Sequence, residues 1–152
     1  MMTDSTMTHW GNPSGAAHLN AMTVDVEDYF QVSAFDPYVD RSAWHSFESR
    51  VEANTDRILS LFSEHNVRAT FFTLGWVAEQ FPSLVRRIAD AGHEIASHGW
   101  DHIMVTRLSR EEFATDIRKA KDVLENTSGQ RVYGYRAPSC LLYTSPSPRD
   151  RG

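Results

Sequence analysis

The stretch VRATFFTLGWVAEQFPSLVRRIADAGHEIASHGW, residues 67–100, carries two short β-type runs with a helical pattern between them. Ala69 to Leu74 (ATFFTL) reads as a strand closed by Gly75, because β-branched and aromatic residues fill it. Phe81-Pro82 opens a short helix through Leu84, Val85 and Ile88, with proline in the first turn and Gly92 placed to end it. His93 to Ser97 (HEIAS) is the next strand. A strand, a helix and a strand in this span make a βαβ unit, which favours a parallel sheet with a right-handed crossover.

The alternation continues on both sides. Downstream, Ser109 and Glu112 form a capping box, with Leu108 and Phe113 at the positions of a hydrophobic staple. Phe113, Ile117, Ala120 and Leu124 continue the apolar stripe, and Asn126 to Gly129 ends that helix. Val132 to Tyr135 reads as a further strand. Upstream, Val51, Ile58, Leu61, Phe62 and Val67 predict a helix from about Ser49 to Asn66. Before it lies a long connection rich in aromatics: Tyr29, Phe30, Phe35, Tyr38, Trp44 and Phe47. Leu19 to Val26 (LNAMTVDV) is a first buried strand that ends in carboxylates. The fold class is α/β, a parallel sheet or barrel. Met1 to His18 is polar and aperiodic and is expected to be disordered.

Composition narrows the function. Fifteen Lys+Arg against twenty Asp+Glu give a net charge of −5, which argues against a nucleic-acid binder. No apolar run approaches the roughly 20 residues of a membrane span. Met1 to Asn20 shows no basic stretch leading into an apolar one, so a cytoplasmic location is expected. The single cysteine, Cys140, excludes an internal disulfide and a cysteine-built zinc site. Seven histidines direct any metal chemistry toward imidazole and carboxylate ligands.

Three clusters fall where strands end. In Thr23-Val24-Asp25-Val26-Glu27-Asp28, an extended backbone points Asp25 and Glu27 to one side and sets Asp28 on the turn. In Ser97-His98-Gly99-Trp100-Asp101-His102, two histidines four apart can converge on one divalent ion. In Tyr135-Arg136-Ala137-Pro138-Ser139, the arginine can fork onto a carboxylate and hold it ionised. Each cluster alone has an ordinary reading: a solvated acidic turn, a chance pair of histidines, a surface charge. Together, at the strand ends where parallel α/β sheets bind ligands, they read as a metal-hydrolase constellation.

The order TVDVED, SHGWDH, YRAPS resembles the polysaccharide deacetylase family, the NodB-homology domain of carbohydrate esterase family four, over roughly Leu19 to Ser139. The wider string DVEDYFQVSAF resembles a subgroup tied to bacterial exopolysaccharide loci. The resemblance implies a distorted, incomplete (β/α) barrel and a metal-dependent hydrolase that removes N-acetyl groups from a polysaccharide. It implies that His98 and His102 bind a divalent ion, zinc by usual expectation, together with one carboxylate. Asp25 then matches the general base, and Arg136 the residue that pairs with it. The commonest family form has two adjacent aspartates, but Val26 stands in the second place. The third ligand is therefore Glu27, which shares a face with Asp25, or its competitor Asp28. Tyr29, Trp100 and Ser139 lie beside these residues and are candidates for sugar contact.

Two later family motifs, a general-acid histidine and an apolar acetyl pocket, have no counterpart here. The segment 140–152, with its Ser-Pro-Ser-Pro-Arg-Asp-Arg-Gly ending, lacks the periodicity of a strand or helix and is expected to be non-native. Residues 19–139 are then the N-terminal part of a deacetylase domain, following the leader of residues 1–18. Two other functions stand beside the deacetylase: a non-catalytic fragment or carbohydrate- and metal-binding module, and a relative that hydrolyses a non-sugar amide.

Overall fold

The computed structural model describes residues 20–139; the expected leader, the expected non-native tail and Cys140 lie outside them. Three parallel strands, β1 (Met22–Val26), β2 (Ala69–Thr73) and β3 (Glu94–Ser97), form one sheet in the order β1-β2-β3. Val24 pairs with Phe71, which pairs in turn with Ile95, so all three strands end at one edge. The crossovers carry α1 (Val51–Glu64), then α2 (Gly75–Gln80) and α3 (Pro82–Asp90), and α4 (Arg110–Ser128) follows β3.

β2 is the central strand and buries alternate residues, Ala69, Phe71 and Thr73. Phe71 meets a helical layer in which Leu74, Val77, Leu84, Val85, Ile88 and Leu124 are fully buried alongside Ile95. Burying such side chains contributes about 1.5–3 kcal/mol each, the main favourable term of the fold. The α4 start is as its sequence predicts: Ser109 Oγ accepts from Glu112 N–H, and the Glu112 carboxylate accepts from Ser109 N–H. Gly92 (φ +80°) and Gly129 (φ +71°) stand just beyond α3 and α4.

Three elements differ from expectation. The first strand, expected to be buried from Leu19 to Val26, runs from Met22 to Val26 and buries Val26 while Met22, Thr23 and Asp25 are exposed; Leu19 lies outside the described residues. The expected strand Val132–Tyr135 reduces to one parallel bridge between Ser97 and Tyr135. Its two hydrogen bonds are Ser97 N–H to Gly134 O and Arg136 N–H to Ser97 O, each 2.9 Å. Gly75 does not simply close β2 but begins α2. Its N–H donates to Gly99 O and that of Trp76 to Trp100 O, both at 2.9 Å, so distant carbonyls satisfy the helix start. A β-carbon at Gly75 would stand 2.5 Å from Trp100 Cε3 and 3.0 Å from Ala120 Cα. Gly75→Ala is therefore expected to cost about 1–3 kcal/mol in urea unfolding, because the α4 backbone cannot yield as a side-chain tip can.

The connector from β1 to α1 is built rather than loose. Phe30 and Trp44 are buried, and with Phe47 and Trp76 they form an aromatic cluster with ring separations of 5.3–6.3 Å. Asp36 pairs with Arg107 at 2.7 Å and with Arg41 at 3.3 Å, and Arg41 Nε donates to Asp101 O at 3.1 Å. These contacts tie the connector to the loop after β3. No helix among the described residues is long and apolar enough to cross a membrane.

Candidate metal centre

The site forms at the edge where the strands end. β1 delivers Asp25 and Glu27 toward it, and the loop after β3 delivers His98 and His102. His98 N–H donates to Thr73 O at 3.0 Å, which anchors the loop to β2. Gly99 (φ +82°) and His102 (φ +60°) then fold the backbone on itself, and the two imidazole centroids stand 5.3 Å apart.

Glu27 Oε2 lies 3.0 Å from His102 Nε2 and 3.6 Å from His98 Nε2. One ligand atom from each of the three residues falls within 4.8 Å of the others, and both histidines are buried. His98 Nδ1 is 2.9 Å from Arg136 O. A carbonyl only accepts, so Nδ1 carries the proton and the Nε2 lone pair faces Glu27. Burial pushes the His98 imidazole below its ordinary pKa, which keeps it neutral. Glu27 Oε2 is buried with no hydrogen-bond partner among the described residues. An unpaired buried carboxylate oxygen facing imidazole nitrogens is costly unless a cation sits among them. The donor set fits a divalent ion of the His₂-carboxylate kind.

Beside this group, Arg136 Nη1 reaches Asp25 Oδ1 at 2.5 Å, and Nη2 reaches Thr23 Oγ1 at 2.8 Å. The guanidinium lies over the Phe72 ring, 4.0 Å from its centroid, so it is held on two sides. Asp25, Glu27, Ser33, His98, His102, Arg136 and Ser139 share one cavity of about 360 Å³ with Val32, Ala34 and Ala137.

Three candidates lie elsewhere. Asp28 is not part of the metal group. Its buried carboxylate accepts from Ser49 Oγ at 2.6 Å, from Arg50 N at 3.1 Å and from Val51 N at 3.3 Å, capping α1 from a distance. Just beyond β1 its extended backbone (φ −94°, ψ 157°) turns it away from Glu27, and α1, whose own N-cap Arg50 offers no side-chain acceptor, takes it up. Tyr29 is absent from the cavity lining; it packs edge-on against Phe30 and beneath the Arg50 guanidinium. Trp100 is turned toward α4, with Lys119 Nζ 3.3 Å from its ring centroid and its N–H donating to Asp116. Sequence adjacency to a ligand does not tell which way a side chain leaves a loop. Conversely, Val32, Ser33 and Ala34 form part of the cavity wall; they lie within the DVEDYFQVSAF string, but none of the three was singled out as a site residue, because the connector has no periodicity to say which way each side chain faces.

Known proteins place the chain in a family. A family model described as polysaccharide deacetylase matches residues 36–145. A peptidoglycan-N-acetylglucosamine deacetylase of Bacillus cereus is 38% identical over 84 residues, covering 55% of this chain and 30% of the relative. The solved peptidoglycan deacetylase PdaC of Bacillus subtilis superposes with a TM-score of 0.60 at 27% identity, over 86% of this chain and 52% of that one. A Bacillus anthracis protein described as a CE4 family pseudoenzyme has the same fold, with a TM-score of 0.61 at 24% identity, over 78% of this chain and 34% of that one. The chain thus spans about a third to a half of the length of these three relatives, and its sheet and helices correspond to part of their fold.

Proposed function

The chain belongs to the polysaccharide deacetylase family, and from that premise we propose that it carries the metal-binding half of an N-deacetylase site acting on an N-acetylated sugar polymer. The observation that supports this most strongly is the unpaired Glu27 Oε2 facing the Nε2 atoms of His98 and His102. In this reading those three residues hold one divalent ion, zinc, and Asp28 has a structural role. A bound divalent ion supplies Lewis acidity to an acetamide carbonyl and lowers the pKa of water beside it.

The chain's own residues supply the rest of the first step. Asp25 takes the proton of the attacking water, so it must be ionised at working pH. Arg136 pairs with it and fixes its direction, being itself braced by Thr23 and Phe72. Ser139, which lines the cavity, is in this reading a sugar contact. A second proton donor is needed for the leaving amine. Among the described residues, the histidines lining the cavity are His98 and His102, both assigned to the metal.

That last observation supports a second reading, in which this chain binds metal and sugar without turnover. The two separate in one assay: acetate release from N-acetylglucosamine oligomers by the zinc-loaded chain. In the deacetylase reading the wild-type chain turns over, and Asp25→Asn lowers kcat about 10²–10⁴-fold with zinc affinity retained. A folded, zinc-loaded chain that releases no acetate supports the binding module, and full activity in Asp25→Asn removes the general-base role.

A further inference from the structure

Ser33 lies in the Ser33–Phe35 turn of the connector, outside the residues that match the family model, yet it forms part of the cavity wall. Its Oγ stands 3.2 Å from His102 Nδ1 and 2.7 Å from Ser139 Oγ. The two histidines therefore differ in what holds their far nitrogen. His98 faces a carbonyl, which can only accept and so dictates where the proton sits. His102 faces a hydroxyl, which can donate or accept. The outcome depends on which way the serine pair is aligned.

If Ser33 donates to Ser139, its oxygen accepts from His102 Nδ1–H, and Nε2 is left bare. If the two hydroxyls align the other way, the proton moves to Nε2, where Glu27 Oε2 is its near acceptor among the described residues. That contact is 3.0 Å long but not aligned as a hydrogen bond, for Glu27 Oε2 has no hydrogen-bond partner among the described residues. The ring is thus oriented for an aligned bond on the serine side and for a lone pair on the glutamate side. The turn bearing Ser33 is also braced: Asp36, the next residue after it, bridges Arg41 and Arg107, and Arg41 reaches Asp101, beside His102.

We propose that Ser33 is a positioning residue: its hydroxyl, donating to Ser139, accepts from His102 Nδ1–H and so aims the bare Nε2 of His102 at the metal position. Ser139 then has a place in the site as the acceptor that sets this direction. The inference rests on the metal reading of His102, and its test separates the two.

Long-range ¹H–¹⁵N spectra of the metal-free chain report the His102 tautomer without any ion. Nδ1–H is expected in the wild type and in Ser33→Thr, and loss of that preference in Ser33→Ala. Nε2–H in the wild type, or the same tautomer in a folded Ser33→Ala, overturns the proposal. Zinc titration is the second readout. Ser33→Ala is expected to bind about 10–100-fold more weakly, and Ser33→Thr to recover most of the loss. Wild-type affinity in Ser33→Ala together with lost affinity in His98→Ala overturns the proposal while leaving the metal site intact. Unchanged affinity in both variants overturns the metal reading instead, and the tautomer spectra still decide Ser33. The wild-type spectrum serves even if Ser33→Ala does not fold.

Discussion

Glu27→Gln is expected to weaken zinc binding by about two orders of magnitude and, without metal, to leave the chain as stable as the wild type or more so. The affinity follows from ligand arithmetic. Zinc sites with four protein ligands bind with about 10–16 kcal/mol, so one ligand carries about 3 kcal/mol. The stability change has the opposite sign for a local reason. Glu27 Oε2 is buried, unpaired and close to His102 Nε2 and His98 Nε2. A glutamine amide in the same place is neutral and can donate to one of those nitrogens, removing a penalty of about 1 kcal/mol or more. Competition titration against a chromophoric chelator reads the first effect, and thermal unfolding in a metal-free buffer reads the second. A residue whose replacement weakens binding without destabilising the fold is held for function. Unchanged zinc affinity in Glu27→Gln would remove it from the ligand set.

Asp28→Ala is expected to do the reverse, lowering stability by about 3 kcal/mol while the zinc affinity of the folded chain is unchanged. The Asp28 carboxylate receives the Ser49 hydroxyl and the Arg50 and Val51 N–H groups. Val51 is buried, so its N–H loses its partner away from water when the carboxylate goes. Loss of a helix cap costs about 0.5–2 kcal/mol, and charged hydrogen bonds to buried donors add about 1.5–3. For a chain of 152 residues that corresponds to a fall of about 10 °C in Tm. Asp28→Asn keeps an acceptor and should lose about half as much. Adjacent acidic residues, one bearing on affinity and the other on stability, follow from the extended backbone just beyond β1, which sends neighbours to opposite sides. A fall in zinc affinity in folded Asp28→Ala, at unchanged stability, would reverse the two roles.

The same residues show how far the sequence could be read. The strand–helix alternation was legible because its signals are local: β-branched runs, the proline that opens α3, and the Ser109–Glu112 box. That carboxylates of β1's end and the two histidines gather at one edge was legible from the period of an extended backbone and the placement of ligand groups at strand ends; their reading as a ligand set came from the family resemblance. Their competitor Asp28 could not be resolved from sequence, because its partners are 21 to 23 residues away and nothing near it announces a cap. The α2 start escaped notice for a similar reason: the carbonyls that receive its first N–H groups belong to Gly99 and Trp100. The last expected strand shrank to one bridge because the pattern of Val132 to Tyr135 describes propensity, whereas pairing needs a neighbour along its whole length. Trp100 and Tyr29 illustrate the same limit on the functional side, since each is covered by a cation from its own surroundings, Lys119 and Arg50.

The most direct measurement is anomalous diffraction at the zinc edge from crystals of the zinc-loaded chain. One peak is expected between β1 and the loop after β3, about 2.0–2.2 Å from His98 Nε2, His102 Nε2 and a Glu27 carboxylate oxygen. A peak bound by Asp28, or zinc found only on surface histidines with Glu27 left unliganded, would contradict the assignment.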